Sequence, residues 1–320
     1  MSPDVSLRTP VAPIAPGPAA PGSPPTIDRE QNKQRSRQIR GATTARRLLR
    51  ILILAAAAAL AVLLVAPVLY MVGLSFTTGQ SFGVDHYVTF FTSQYYIVGV
   101  ALNSVAMAAA GVLVAAVFAI PLAYVIARVG SAGVRRALTV ALFVPLWINS
   151  VILMLGWYII VGANGIVNQT LLMIGLIEEP LRILSTPTAV VIGLAQLAIP
   201  YIAMPLVGVF AAVPRSAEEA AHVCGASPAR VFFRITLPLS AQGLFVGILL
   251  SFTLSIGALA VPNILGGGKV RMFSVAAYSE LTTGNFGLAS VIALVLLLTT
   301  VLCLSPILLL NRRTNQHKEH

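Results

Sequence analysis

The segment EEAAHVCGASPARVFFRITLP, residues 218–238, interrupts a chain of long apolar runs with charges, small residues and two helix starts. Ser216 followed by Glu219 at capping-box spacing predicts that hydroxyl and carboxylate satisfy each other's backbone N–H groups. The helix so begun should span Ala217 to Cys224 and close at Gly225, a residue free to take a left-handed cap. Ser227 before Pro228 is a second start: the hydroxyl accepts from an orphan N–H, and proline lacks one that would go unbonded. This second helix is expected to reach Thr236 and stop at Pro238. Helices so short are marginal alone in water, so other parts of the protein or a partner must hold them.

On either side of this segment the chain is built for hydrocarbon. Of 320 residues, 57% are hydrophobic and 10% charged, and mean hydropathy is +0.89. That is too little polar surface to cover a water-soluble globule of this size. A helix crossing a bilayer needs roughly 20 apolar residues. Six stretches qualify: Leu48 to Phe76, Val98 to Ala127, Leu138 to Val161, Thr188 to Val213, Ala241 to Val261 and Leu288 to Leu310. Pro145, Pro200 and Pro205 in the third and fourth predict kinks rather than breaks. The expected fold class is an all-α integral membrane protein with six transmembrane helices, the membrane domain running from 48 to 310.

Lys and Arg beside a span are retained in the cytoplasm. With the N-terminus inside, all but Arg182, Lys269 and Arg271 of the 21 Lys and Arg residues fall on the cytoplasmic side. The net charge of +11 is then a topology signal and needs no nucleic acid to explain it. Residues 1–47, rich in Pro, Ser, Ala and Arg, read as a disordered cytoplasmic tail whose basic residues can touch anionic membrane lipid. Residues 311–320 read as a second cytoplasmic tail. The apolar run opening at Leu48 starts too late and runs too long for a cleavable signal peptide, so it reads as a retained anchor. Cys224 and Cys303 lack the spacing of a disulfide framework or a metal site.

Two other classes of function compete with transport driven by a separate motor. An ion-coupled secondary transporter keeps ionisable groups near the membrane midplane and shows inverted repeats. Here the central parts of the six stretches carry no Asp, Glu, Lys, Arg or His, and no internal repeat is evident. A membrane-embedded enzyme needs clustered His, Asp, Glu or Cys, whereas His86, His222, His317 and His320 lie in different loops and the tail. Nor is there a phosphate-binding loop: GGGK at Gly266 to Lys269 lacks the first glycine spacing and the following hydroxyl.

The spacing inside the opening segment is more specific. Glu219, Ala220 and Ala221, then three residues, Gly225, nine residues, then Ile235, Leu237 and Pro238 resemble the EAA signature in the membrane subunits of binding-protein-dependent ABC importers. Every fixed position is filled. NSVAMAAAGVLVAAVFAIPLAYVIAR (Asn103 to Arg128), the Pro145 to Trp157 stretch, GIVNQTLL (Gly165 to Leu172) and SFTLSIGALAVPNILGGGK (Ser251 to Lys269) are similar to the spermidine/putrescine permease branch. That likeness extends from about Leu48 to about Leu310.

The resemblance implies a type I (MetI-like) importer fold, with a core over about 98–306 and a coupling loop at 214–240. It implies a bacterial cytoplasmic (inner) membrane location with both termini cytoplasmic. The partners it implies are an ABC ATPase dimer, a second homologous permease subunit and an extracytoplasmic solute-binding protein. The chain would then be a transport subunit rather than an enzyme and carry no cofactor, ATP being bound by the ATPase. The implied solute is a polyamine, with opine-like compounds, phosphonates and iron as alternatives. In the family the loop docks into a groove on the ATPase. Here Ala220, Ala221 and Cys224 would permit close approach, Val231, Phe232 and Ile235 would supply burial, and Glu219, Arg230 and Arg234 would make charged contacts at the edge. The alternative is an ordinary connector. Candidate solute-path residues are the polar groups within apolar spans: Asn103 and Ser104, Asn149 and Ser150, Gln196 and Tyr201, and Ser251, Thr253 and Ser255. Each of these either faces a passing solute or bonds a neighbouring helix. Trp147 and Trp157 read as interfacial or packing residues.

Overall fold

A computed structural model describes residues 27–78, 81–129 and 131–316. The chain divides into two units, Met1–Ala66 and Pro67–His320. Helix α1 (Ile27–Ser75) starts inside the stretch expected to be disordered. Its polar first part is rich in Arg and Gln, good helix formers, and extending an existing helix needs no new nucleus. Residues 1–26 of the expected tail lie outside the described residues.

The second unit is almost wholly helical, apart from a two-residue-per-strand hairpin of β1 (Thr77–Thr78) and β2 (Ser81–Phe82), paired Thr77 to Phe82. After α2 (Asp85–Thr92), a π-helical stretch Tyr95–Leu102 leads into α3 (Asn103–Tyr124), which ends in a π-helical turn, Val125–Val129. Then come α4 (Ala132–Trp147), α5 (Ser150–Val161), α6 (Ile166–Met173) and α7 (Pro187–Ala212). The loop helices are α8 (Arg215–Val223) and α9 (Pro228–Val231); a π-helical turn, Phe232–Thr236, joins α9 to α10 (Leu237–Leu239). The chain closes with α11 (Ala241–Ile256), α12 (Ala260–Ile264), α13 (Phe273–Thr282) and α14 (Phe286–Gln316).

Among the described residues, five helical stretches are long and apolar enough to cross a membrane: Arg50–Ser75, Tyr95–Arg128, Ser150–Met173, Pro187–Ala212 and Phe286–Ser305. Pro228–Leu239 with Ala241–Ile256, bent by 69°, makes a sixth if the pair is one span. The expected third span, Leu138 to Val161, is in fact two helices. Pro145 lies within α4, and the chain breaks just beyond it at Ile148, which is extended, and Asn149, whose side chain caps α5. The missing proline N–H weakens the last turn of α4, and the Asn149 carboxamide offers a new start. By contrast, α7 runs unbroken through Pro200 and Pro205. The expected fifth span also stops early, α11 ending at Ile256 and α12 forming a separate turn of helix.

Small residues set the packing. Ala115, Ala119 and Ala123 of α3 are buried against Ala195, Ala198 and Ala203 of α7. A Cβ on Gly111 would stand 2.7 Å from the Leu194 Cβ, and one on Gly247 would stand 3.0 Å from the Ile202 Cα. Lipid gives helices no hydrophobic drive to associate, so close backbone approach and dispersion must hold them together. The outward faces keep their apolar side chains exposed, as with Leu113, Val117 and Phe118 of α3. Such a surface is stable only in hydrocarbon.

Candidate functional site

The predicted loop is a pair of short helices joined by a tight cap. α7 ends as Val213 turns extended, the conformation forced on a residue before proline. Pro214 then occupies the N-cap of α8 without any side-chain cap. Ser216 therefore lies inside the helix and the expected capping box does not form. The other end follows expectation. Gly225 has φ +81°, its N–H donates to the His222 carbonyl at 2.9 Å, and the Ala226 N–H donates to the Ala221 carbonyl at 3.0 Å. A residue with a Cβ would be strained there. Ser227 caps α9, its hydroxyl accepting from the Arg230 N–H at 3.4 Å. The helix does not stop at Pro238 but runs on to Leu239: that proline sits in the first turn of α10, where no N–H is needed.

The exposed and buried faces of the loop differ from expectation. Val231 is only 3% exposed. Phe232 turns inward, its ring 4.9 Å from Tyr124 in an edge-on arrangement and 6.2 Å from Phe210. Val231 is buried within this chain, and Phe232 is half-buried with its ring committed to the chain's own aromatic packing. The large apolar side chains that face outward are Val223, 89% exposed, Phe233, 65% exposed, and, at the loop's end, Leu239, 58% exposed. Glu219, Ala220, Gly225, Arg230, Arg234 and Pro238 are exposed, whereas Ala221, Ile235 and Leu237 are half-buried.

Sequence reasoning passed over Glu218, yet this is the acid that the fold uses. Its Oε1 lies 3.4 Å from an Arg128 Nη2, the one ion pair among the described residues, with side chains 15% and 7% exposed respectively. The Thr236 hydroxyl donates to the same carboxylate oxygen at 2.9 Å. Arg128 also donates to the Val213 carbonyl at 2.5 Å. A cation at the carbonyl end of a helix is favoured by the helix dipole. The end of the second span, the end of the fourth, α8 and the π-helical turn after α9 thus meet at one point.

The candidate path residues separate into different places. Tyr201, Ser251 and Ser255, together with Ser150, line a cleft of about 230 Å³ between α5, α7, α11 and α12. Of these, Ser251 is fully buried and its hydroxyl donates to the Ala198 carbonyl at 3.2 Å, a helix-to-helix bond. Gln196 faces away from the cleft, towards a groove shared with Phe118 and Ile199, and accepts a hydrogen bond from the Trp157 indole. Asn149 spends its carboxamide oxygen on the Val151 N–H at 2.8 Å. Asn103 donates to the Arg271 carbonyl at 2.8 Å, and Ser104 accepts from the Phe273 N–H at 2.8 Å. Thr253 bonds the Leu249 carbonyl of its own helix at 2.9 Å. The cleft-lining side chains are hydroxyl-bearing or apolar, with no charge among them.

Comparison with known proteins covers most of this architecture. The family described as "binding-protein-dependent transport system inner membrane component" matches residues 119–316, which include the whole loop. The spermidine/putrescine transport system permease protein PotB of Escherichia coli (strain K12) is 34% identical over 210 residues, 63% of this chain and 75% of that protein. The protein of that name from Haemophilus influenzae is 30% identical over 249 residues, 75% of this chain and 86% of its own. In the crystal structure of a bacterial alginate ABC transporter in complex with alginate pentasaccharide-bound periplasmic protein, one chain superposes with a TM-score of 0.68 at 20% identity. The overlap takes in 83% of this chain and 94% of that one. At that identity the likeness speaks for the fold alone.

Proposed function

Because the chain belongs to the binding-protein-dependent transport system inner membrane components and is a permease subunit of an ABC importer, we propose that it carries a polyamine, spermidine or putrescine. The 34% identity to a spermidine/putrescine permease supports that solute. The chain is a transport subunit of the inner membrane, working with an ATPase and a binding protein. A second, homologous permease subunit completes the pathway, and both termini face the cytoplasm, in keeping with the distribution of basic residues.

In this reading the 214–240 loop is the coupling element. The observation that carries it is the outward face of the paired helices: Glu219, Ala220, Gly225 and Val223 with Phe233, all exposed on a segment locked to the spans from behind. Val223 and Phe233 supply the apolar contacts, and Glu219, Arg230 and Arg234 the charged rim. ATP binding closes the ATPase dimer, the loop moves with it, and the pathway switches from inward-facing to outward-facing. The cleft lined by Ser150, Tyr201 and Ser255 is the part of the path that this subunit contributes.

The test is uptake of labelled putrescine and spermidine in a strain with no other polyamine system. Deletion of the gene should abolish uptake of at least one of them. Unchanged uptake of both would remove the polyamine assignment.

A further inference from the structure

Arg128, Glu218 and Thr236 have no place in the motif, the cleft or the exposed face of the loop. Thr236 is nonetheless fully buried, and the Arg128 and Glu218 side chains are only 7% and 15% exposed, where the end of the second span meets both arms of the loop. We infer that the Arg128–Glu218 pair is the positioning latch that makes the loop move as one body with the cytoplasmic ends of the second and fourth spans. This rests on the reading of the loop as the surface that docks the ATPase.

The bonds of Arg128 join elements that nothing local would join, and the Thr236 bond ties the two arms of the loop to the same carboxylate. Arg128 ends the second span and reaches the Val213 carbonyl at the end of α7. Glu218 belongs to α8, and Thr236 to the π-helical turn that follows α9. A pull on the exposed face of α8 is therefore passed on through a directed, buried ion pair rather than through a flexible connector. Removing water from such a pair strengthens its electrostatic attraction, and breaking one side strands the other charge.

Two further observations point the same way. Arg128 lies in the π-helical turn Val125–Val129, and Thr236 ends the π-helical turn Phe232–Thr236. Such turns are uncommon, and they gather at functional sites. The Arg128 Nε is also buried without a hydrogen-bond partner, so this arrangement leaves the guanidinium short of full satisfaction.

The experiment uses the full chain, co-expressed with its ATPase and second permease subunit and reconstituted with the binding protein. It compares the parent with Glu218→Gln and with the double variant Arg128→Met/Glu218→Leu. The double variant leaves no stranded charge and keeps apolar volume, so it is the one expected to fold normally. It should reach parental membrane abundance, retain the ATPase and hydrolyse ATP. Solute taken up per ATP hydrolysed should fall on the order of tenfold, within the range of coupling between sites. Glu218→Gln keeps an acceptor for Thr236 but loses the charge, and should fall part of the way. Uptake per ATP within about twofold of the parent in the double variant would overturn the latch. Loss of the ATPase would make the pair a docking contact instead, and low abundance would make it merely structural; either result overturns the inference. Failure of the parent itself to retain the ATPase would strike at the docking reading, a distinguishable result.

Discussion

Replacing Gly225 separates a docking loop from a connector. At φ +81° its backbone is left-handed, and no atom lies within 4 Å of where a Cβ would stand. Within the chain a side chain there costs only backbone strain, about 1–2 kcal/mol for an ordinary L residue. At about 1.4 kcal/mol per tenfold, alanine would deplete the capped conformer roughly fivefold to thirtyfold. Aspartate tolerates the left-handed region better, so strain alone ranks alanine as the more damaging replacement. A partner seated on the loop reverses that order, because the space left open here would then hold protein, and bulk and charge would meet it. Gly225→Asp is therefore expected to abolish uptake and release the ATPase, with Gly225→Ala retaining part of both. Glu219→Lys, a charge reversal on the exposed rim, should behave like Gly225→Asp. Membrane abundance should stay normal in all three, since insertion depends on apolar length and flanking charge. The assay is ATPase co-purification with uptake and abundance measured in parallel. Normal uptake and a retained ATPase in Gly225→Asp, or alanine more damaging than aspartate, would refute docking through this face.

Two further predictions concern topology and packing. After replacement of Cys224 and Cys303, single cysteines at the exposed positions Asp85 and Glu179 should react with an impermeant thiol reagent in intact cells, and one at the exposed Arg136 should not; labelling at Arg136 would reverse the orientation. Gly111→Val should lower the heat-denaturation midpoint of the detergent-purified protein, because its Cβ would stand 2.7 Å from the Leu194 Cβ and overpacking costs about 1–3 kcal/mol. Gly208→Ala, inside α7, meets nothing within 4 Å and should hold or raise that midpoint, alanine being the better helix former, so equal midpoints for both variants would contradict the α3–α7 contact.

The membrane class, most of the spans and the turn at Gly225 could be read without coordinates, because each depends on neighbouring residues alone. Apolar length decides insertion, and a glycine after a helical run decides its own cap. Local signals also misled. Ser216 and Glu219 have capping-box spacing, but Pro214 had already opened the helix. The break at Ile148 and Asn149 was half visible, Pro145 marking the weakness but not where the chain would part. Which loop side chains face inward was not legible at all. Val231 and Phe232 both look like docking residues, yet Val231 is buried and Phe232 turns its ring onto Tyr124 and Phe210, distant in sequence. In the same way Glu218 and Glu219 are adjacent and chemically alike, and only the fold sets one against Arg128 and leaves the other exposed. Hydropathy and capping are energies of short stretches of chain. The pairing of Glu218 with Arg128 is an energy between segments brought together by the packing of α3 on α7, and it exists only once that packing does.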